Sequence, residues 1–536
     1  MADRRVVLGK LSHKTNVALA GEHTVKMERK RDAINLFILI IVACVLGIYL
    51  IASTVLISKD GVFYIEQARL FSSDPADVMR GNAPGYPFLI LAAHSFVGLF
   101  GDNSSLFGWI YTAQGVTLLF RLLALVPLYL IGKQLVGSRK SFYALLLLIL
   151  LPHPAKMACE LTREWPYMLF LATGFLFLLW GARRGRWWAF GLAGLATGLG
   201  YWIRPACIQL VIYGSMWLTL SMVWPRVGKM CRTKSLVAAA SLFTGFAVLA
   251  LPYVKCTGYI ISPNATHIFK VISLEKPPNR TDMRTDDVSA ISQYAAGVVP
   301  WKGVKALGEV FKTVGENLMW FFVPPLFAGL CRRLRYEAEY EEMFLMTVFT
   351  LINLAMIVCR YCYLEVHMSN RWSFPLVAFT IFYICDGLEV VADWLAGAHK
   401  LDWLRRRPRL SLILLLIGVM ICLPKLFRPA GTDKRGYRAA AKWLKDNTDR
   451  EDVIAVPDKR ITLYAERKGL TYDKNIPQSA KYAVTIVKGK DERLEIGRSV
   501  HKELTLWVNE KKKAKKIVLY KILQPTGTSS HKGRDE

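Results

Sequence analysis

Acidic side chains are scarce in this 536-residue chain: 41 Asp and Glu stand against 70 Lys and Arg, a formal net charge of +29. Such an excess would suit a nucleic-acid partner, yet the sequence carries no helix-turn-helix, zinc-finger or other nucleic-acid module, so the charge needs another reason. Long polar stretches are also few. Hydrophobic residues make up 53% of the chain, and they gather into repeated blocks near the ~20 residues that cross a bilayer. That pattern excludes an ordinary soluble domain and predicts a polytopic α-helical membrane protein. The ten cysteines sit mostly inside the apolar blocks, and Cys359 and Cys362 form a CxxC with no second pair. Packing as small hydrophobes explains them better than zinc or redox chemistry. The two halves share no similarity of the kind that repeat-built transporters show.

The first apolar block, 33–57, follows a 32-residue polar leader with Arg4, Arg5, Lys10, Lys14, Lys26, Arg29, Lys30 and Arg31. This leader is too long and basic for a cleavable signal, so the block is expected to stay as a helix. Ten further spans are predicted near 106–131, 141–159, 165–182, 187–204, 206–224, 235–254, 315–331, 342–363, 372–395 and 410–427, about 11 in all. A shorter apolar stretch, 85–100, contains Pro87 and His94. If it lies flat in the interface, Lys133, Arg139, Lys140, Arg183, Arg184, Arg186, Arg226, Lys229, Arg232, Lys234, Arg332, Arg333, Arg335 and the Arg405–Arg409 cluster all fall on the cytoplasmic side. If it spans, most of them move outside. The expected arrangement is therefore a cytoplasmic N-terminus (1–32), a transmembrane domain (33–427) with outer loops 58–105 and 255–314, and an extracytoplasmic α/β domain (428–536).

That last segment is different in kind. "GYRAAAKWLKDNTDREDVIAVPDKRITLYAERKGL" reads as helix, turn, strand and helix, and "KYAVTIVKG" and "KKIVLYKIL" read as further strands. Long domains translocate largely regardless of charge, so its lysines do not disturb the topology. Asn103, Asn264 and Asn279 begin N-x-S/T sequons, a number compatible with chance.

In "IASTVLISKDGVFYIEQARLF" the first span ends in Lys59 and Asp60 and continues as an amphipathic aromatic segment. A carboxylate at the water–lipid boundary, with Tyr64 one turn along the same face, is placed to reach a polar head group. The plainer alternative is that Asp60 caps a helix starting at Gly61. Arg121 is ionisable and lies mid-span; a structural pair with another helix and a substrate role both fit it.

The order of "DGVFYIEQARLF", "APGYPFLILA", "LYLIGKQLVGSRKSFYALLLLILLP", "TREWPYMLFLATGFLFLLWG", "GLATGLGYWIRPACIQL" and "NRWSFPLVAFTIF", followed by the α/β tail, resembles the GT-C glycosyltransferases of family 39 type. These are the bacterial relatives of protein O-mannosyltransferases and lipid A aminoarabinose transferase, and the resemblance covers residues 33 to about 470. It implies inverting transfer of a sugar from a polyprenyl-phosphate donor to an envelope acceptor, whether lipid, glycan or protein, at the outer face of the plasma (inner) membrane. By the same resemblance, Asp60 is the general base and Glu164 a second acidic group that assists the acceptor or orients a base. Glu164 also reads as a residue favoured by a helix dipole. Arg204 in "YWIRPA" and Arg371 in "NRWSFP" are the candidate cations for the donor phosphate, and interfacial snorkelling is the alternative for each. Tyr64, Tyr86, Arg80 and His367 are further expected substrate contacts.

Two departures stand out: relatives carry Asp-Glu where this chain has Asp60-Gly61, and a Lys where it has Asn82, with Arg80 the nearest substitute. One carboxylate in that loop does not make a metal cage, which leaves a divalent metal open. Three rival classes remain. A lipid-linked polysaccharide polymerase or ligase would use arginines and a histidine in a late outer loop, and His367 beside Arg371 fits it. A transporter or flippase is disfavoured by the missing repeat and the large tail. A non-catalytic scaffold is the third.

Overall fold

The computed structural model describes residues 2–81, 83–224, 230–258, 299–336, 338–363, 368–398, 407–472, 475–488, 500–509 and 514–523. Outer loop 255–314 therefore falls largely outside the described residues, as do Asn82, His367 and the sequons at Asn264 and Asn279. The helices in chain order are α1 (Ala2–Ser53), α2 (Lys59–Ser73), α3 (Pro75–Gly81), α4 (Gly85–Gly98), α5 (Leu106–Val136), α6 (Ser138–Leu150), α7 (Pro152–Lys156), α8 (Glu164–Arg184), α9 (Trp187–Ile203), α10 (Gln209–Val223) and α11 (Arg232–Thr257). They continue as α12 (Val299–Asn317), α13 (Val323–Tyr336), α14 (Tyr340–Tyr363), α15 (Phe374–Thr380), α16 (Ile384–Ala398), α17 (Arg407–Leu426), α18 (Arg435–Asn447) and α19 (Arg460–Ala465). Five strands follow the last span: β1 (Val453–Val456), β2 (Lys468–Thr471), β3 (Tyr482–Lys488), β4 (Val500–Trp507) and β5 (Lys515–Ile522).

Among the described residues, seven helical stretches are long and apolar enough to cross a membrane: Met27–Ser53, Leu106–Val136, Glu164–Arg184, Pro205–Val223, Arg232–Thr257, Tyr340–Cys362 and Phe374–Gly397. This is an integral membrane protein. The other four of the eleven expected spans are shorter or interrupted. The block expected as one span at 315–331 is broken: α12 stops at Asn317, Met319 and Trp320 turn with φ of 56° and 60°, and α13 begins at Val323. Pro324 and Pro325 explain the restart, since prolines in a first helical turn need no amide donor. The 141–159 block likewise ends its helix at Leu150, before Pro152 and Pro154.

Contacts divide the chain into two units, Met1–Ile48 with Leu118–Ala155 and Arg163–Leu426, and Tyr49–Thr117 with Lys156–Thr162 and Phe427–Glu536. In the first unit, α9 and α11 approach so closely that a Cβ on Gly194 would lie 2.2 Å from Leu242 O, the small-residue packing that membrane helices use in place of a hydrophobic drive. One face of this unit gathers the basic loops. Lys133 near the end of α5 pairs with Asp32 of α1, Arg183 donates to Gln134 O at 2.6 Å, Arg333 donates to Leu135 O, and Lys140 pairs with Asp386 and Glu389. The start of the apolar part of α1 and the end of α5 thus share a face.

In the second unit the sheet order is β2-β1-β3-β5-β4. β1 runs parallel to β2 and β3 (Ala455 opposite Leu470 and Ala483), while β5 is antiparallel to β3 and β4 (Leu519 opposite Val484 and Leu504). The segment after α1 is tied to this domain by Val55 N donating to Ala430 O at 3.0 Å, Ile57 N to the Tyr464 hydroxyl at 3.2 Å, and a 2.9 Å Lys459–Glu66 ion pair.

Candidate active site

Asp60 stands in the first turn of α2, but it does not close that helix. Ser58 does: it holds an extended φ/ψ of −66° and 161°, and its Oγ accepts from Gly61 N at 3.0 Å. The capping alternative for Asp60 is therefore set aside. Gly61 has a steric reason of its own, because a Cβ there would lie 2.8 Å from Leu161 Cβ and 3.3 Å from Glu160 O. A side chain at 61 would have to displace Leu161. On the buried side of α2, Tyr64 packs edge-on to Tyr86 with centroids 4.8 Å apart, and Tyr86 shares a 2.7 Å hydrogen bond with Thr117 Oγ1. Arg80 is exposed in the last turn of α3.

Asp60, Tyr64, Arg80 and Tyr86 belong to the second unit; Glu164, Arg204 and Arg371 belong to the first. Within the first unit, Glu164 opens α8 and Arg204 closes α9, where Pro205 ends the helix. Glu164 is only 6% exposed, and its Oε1 lies 3.8 Å from Arg204 Nη1, outside hydrogen-bond range. Its Oε2 has no hydrogen-bond partner among the described residues. The Arg204 guanidinium sits 5.0 Å from the Tyr167 ring centroid. Tyr167 is held by Gln209 (Nε2 to the hydroxyl, 2.5 Å); Tyr213 donates to Gln209 Oε1 at 2.6 Å and accepts from Asn353 at 3.0 Å. The result is a buried polar ladder that fixes the Arg204 end of α8 and α10.

Arginines concentrate here. The charges of Arg163 and Arg360 both act on Arg204, and Arg360 stacks 4.2 Å from the Trp372 ring, beside Arg371. Arg371 is half-buried, with Nε 3.4 Å from Ser369 Oγ. Next to it, Asn370 donates to Glu316 Oε2 at 2.8 Å, and Asn317 donates to Asn370 O and Ser373 Oγ at 2.8 and 3.0 Å. Ser58, Tyr167, Gln209, Asn353, Arg163 and Arg360 are the residues that sequence reasoning passed over. Only Ser58 left a signal, a cap-type residue just before a charged first turn. Arg121, fully buried, donates to Ile149 O at 3.0 Å and lies 5.5 Å from the Trp165 ring, an interhelical tie. Among the described residues, no group of three His, Cys, Asp or Glu side chains comes together as a metal site.

Known structures share this fold. The oligosaccharyltransferase AglB from Archaeoglobus fulgidus, in complex with an inhibitory peptide and a dolichol-phosphate, superposes with a TM-score of 0.55 at 12% identity, over 85% of this chain and 69% of that one. ArnT from Cupriavidus metallidurans, bound to undecaprenyl phosphate, superposes with a TM-score of 0.51 at 13% identity, over 90% of this chain and 97% of that one. At these identities the likeness is one of fold, shared with AglB and ArnT. The model of the dolichyl-phosphate-mannose-protein mannosyltransferase family matches residues 112–252 of this chain, less than half of its length. No curated protein sequence matches it significantly.

Proposed function

We propose that this protein is an inverting glycosyltransferase that moves a sugar from a polyprenyl-phosphate donor to an envelope acceptor. The observation that carries this reading is the arginine cluster around one under-engaged carboxylate: Arg204 lies beside Glu164 without a hydrogen bond to it, with Arg163 and Arg360 close by. Such an excess of half-buried cation favours an anionic guest, and a lipid phosphate that gains negative charge as it leaves is one. The fold, shared with one protein in complex with a dolichol-phosphate and another bound to undecaprenyl phosphate, supports the same donor class.

In the reaction, the acceptor hydroxyl oxygen attacks the anomeric carbon, the bond from that carbon to the phosphate oxygen breaks, and Asp60 takes the hydroxyl proton. Arg204 and Arg371 neutralise the departing phosphate, Arg80 and His367 contact the substrates, and Glu164 orients the acceptor. Tyr64 and Tyr86 act through the position they give α2. The C-terminal domain and the 58–105 segment are read as extracytoplasmic in the plasma membrane, with the N-terminus inside. A cysteine-accessibility map should then label positions 82 and 450 from outside and 137, 185 and 229 from inside.

The activity is tested by incubating the purified protein with labelled polyprenyl-phosphate sugars and envelope lipids, glycans or proteins. Arg371→Ala should weaken use of the donor and Arg371→Lys should restore only part, because a planar fork grips two phosphate oxygens where an ammonium grips as a point. Unchanged donor saturation in both variants would return Arg371 to an interfacial anchor.

A further inference from the structure

A second polar–apolar site lies wholly within the second unit, away from the residues given roles above. A cavity of about 250 Å³ is lined by the end of α1 and the segment after it (Ile51, Val55), by the first turns of α5 (Phe107, Ile110, Gln114) and by Arg438 of α18. Three features of its wall point to a ligand. The Arg438 guanidinium lies beside two neighbouring aromatic rings, 4.2 Å from the Tyr464 centroid and 4.9 Å from Phe107, and among the described residues it forms no ion pair. A guanidinium carries five N–H donors, more than two ring contacts and the Tyr464 hydroxyl engage. Gln114 is 1% exposed; its Nε2 donates to Cys159 O at 2.7 Å, while its Oε1 is buried with no hydrogen-bond partner among the described residues. A buried amide oxygen left in that state costs about 1–3 kcal/mol unless a donor reaches it. The rest of the wall sets Ile51, Val55, Ile57 and Ile110 beside Thr54 and Tyr111.

We propose that this cavity binds an anionic lipid with a hydroxylated head group: the phosphate at the edge of Arg438, a head-group hydroxyl donating to Gln114 Oε1, and the first methylenes along Ile51, Val55 and Ile110. The volume suits a head group and the start of a chain rather than a whole lipid, whose tails would continue into the bilayer. A zwitterionic lipid with a quaternary ammonium satisfies neither polar group, because it has no net charge and no donor. The inference does not depend on the transferase reading, since none of these residues has a part in it.

The test uses the full-length protein in non-ionic detergent, titrated with dihexanoyl phosphatidylglycerol, dihexanoyl phosphatidylcholine or inorganic phosphate and read by native mass spectrometry. Phosphatidylglycerol should bind saturably, and about tenfold or more tighter than phosphatidylcholine. Arg438→Gln, whose planar amide can still stack, should remove that preference; Val55→Phe, which fills the cavity, should abolish binding. Should Val55→Phe fail to fold, Gln114→Met supplies the second variant, with phosphatidylglycerol binding weakened and phosphatidylcholine binding unchanged. Equal binding of the two lipids, or binding indifferent to these substitutions, overturns the proposal. So does inorganic phosphate that occupies the site alone with the same Arg438 dependence, since the lipid walls would then contribute nothing.

Discussion

Glu342 and Glu164 are both buried, both in the first turn of a helix of the first unit, and they are used in opposite ways. Glu342 is 1% exposed with every acceptor position engaged: Arg333 Nε at 3.0 Å and the Tyr383 hydroxyl at 3.2 Å on Oε1, Arg333 and Arg183 at 3.1 and 3.3 Å on Oε2. Glu164 is nearly as buried, yet its one cation stands 3.8 Å off and its second oxygen has no hydrogen bond among the described residues. Burying a charge is costly unless it is paired and hydrogen-bonded, so a saturated carboxylate makes sense as structure. An unsaturated one persists where the missing partner is a substrate or where the group must change partners. The contrast also gives the basic loops a structural part: Lys133, Lys140, Arg183 and Arg333 are knitted to carboxylates across helices, so they hold the bundle together.

The largest effect expected from breaking this contrast falls on Glu342. Removing its carboxylate takes away the four hydrogen bonds and the negative charge shared by Arg183, Arg333 and Tyr383, so Glu342→Ala should lose about 3–5 kcal/mol of stability, visible as a fall in melting temperature in detergent. Glu164→Gln should do the reverse. With no hydrogen bond to lose at Oε2, stability should stay within about 1 kcal/mol, while transfer per folded molecule falls about tenfold. A Glu164→Gln protein that melts as early as Glu342→Ala would make the two carboxylates equivalent and remove the contrast.

Smaller still is the cap. Ser58→Ala should cost about 1 kcal/mol of stability and leave turnover per folded molecule nearly unchanged, because Ser58 ends α2 without touching the chemistry. The smallest effect is acid sensitivity in the C-terminal domain. Burial would raise the Asp458 carboxyl, but hydrogen bonds and charge from Arg460 outweigh it and hold the group below the usual carboxylate value. Stability from this pair is then fully present above about pH 4 and is lost as the pH falls through the lowered value. Asp458→Asn should flatten that slope in an acid titration followed by tryptophan fluorescence; an unchanged slope would assign the acid sensitivity to other carboxylates.

Much of this architecture was legible in residue order. The amphipathic run in "GYRAAAKWLKDN" marks α18, and the β-branched runs in "KYAVTIVKG" and "KKIVLYKIL" mark β3 and β5, because each pattern has a period that only one element satisfies. β4 escaped notice because it is a largely exposed strand at the sheet edge: Val500–Trp507 carries His501, Lys502 and Glu503 and shows no apolar run. The turn at Met319 and Trp320 was hidden by uniform apolarity, which cannot distinguish one long helix from two short ones. At the site, Asp60 was visible as a carboxylate at a span's end, but its neighbours were not. That Ser58 caps the helix, that Leu161 crowds Gly61, and that Tyr167 and Gln209 brace Arg204 are facts of three-dimensional contact between segments up to about 100 residues apart.

The central claim, that Asp60 accepts the acceptor's proton, is tested most directly by comparing Asp60→Asn with Ser58→Ala in a labelled-donor transfer assay. Asparagine keeps the size and most hydrogen bonding of aspartate but cannot take a proton, and the helix retains its Ser58 cap. The account predicts that turnover in Asp60→Asn falls about 10²-fold or more with donor affinity and melting temperature near normal, while Ser58→Ala turns over normally at lower stability. An Asp60→Asn enzyme with near-normal turnover would contradict it.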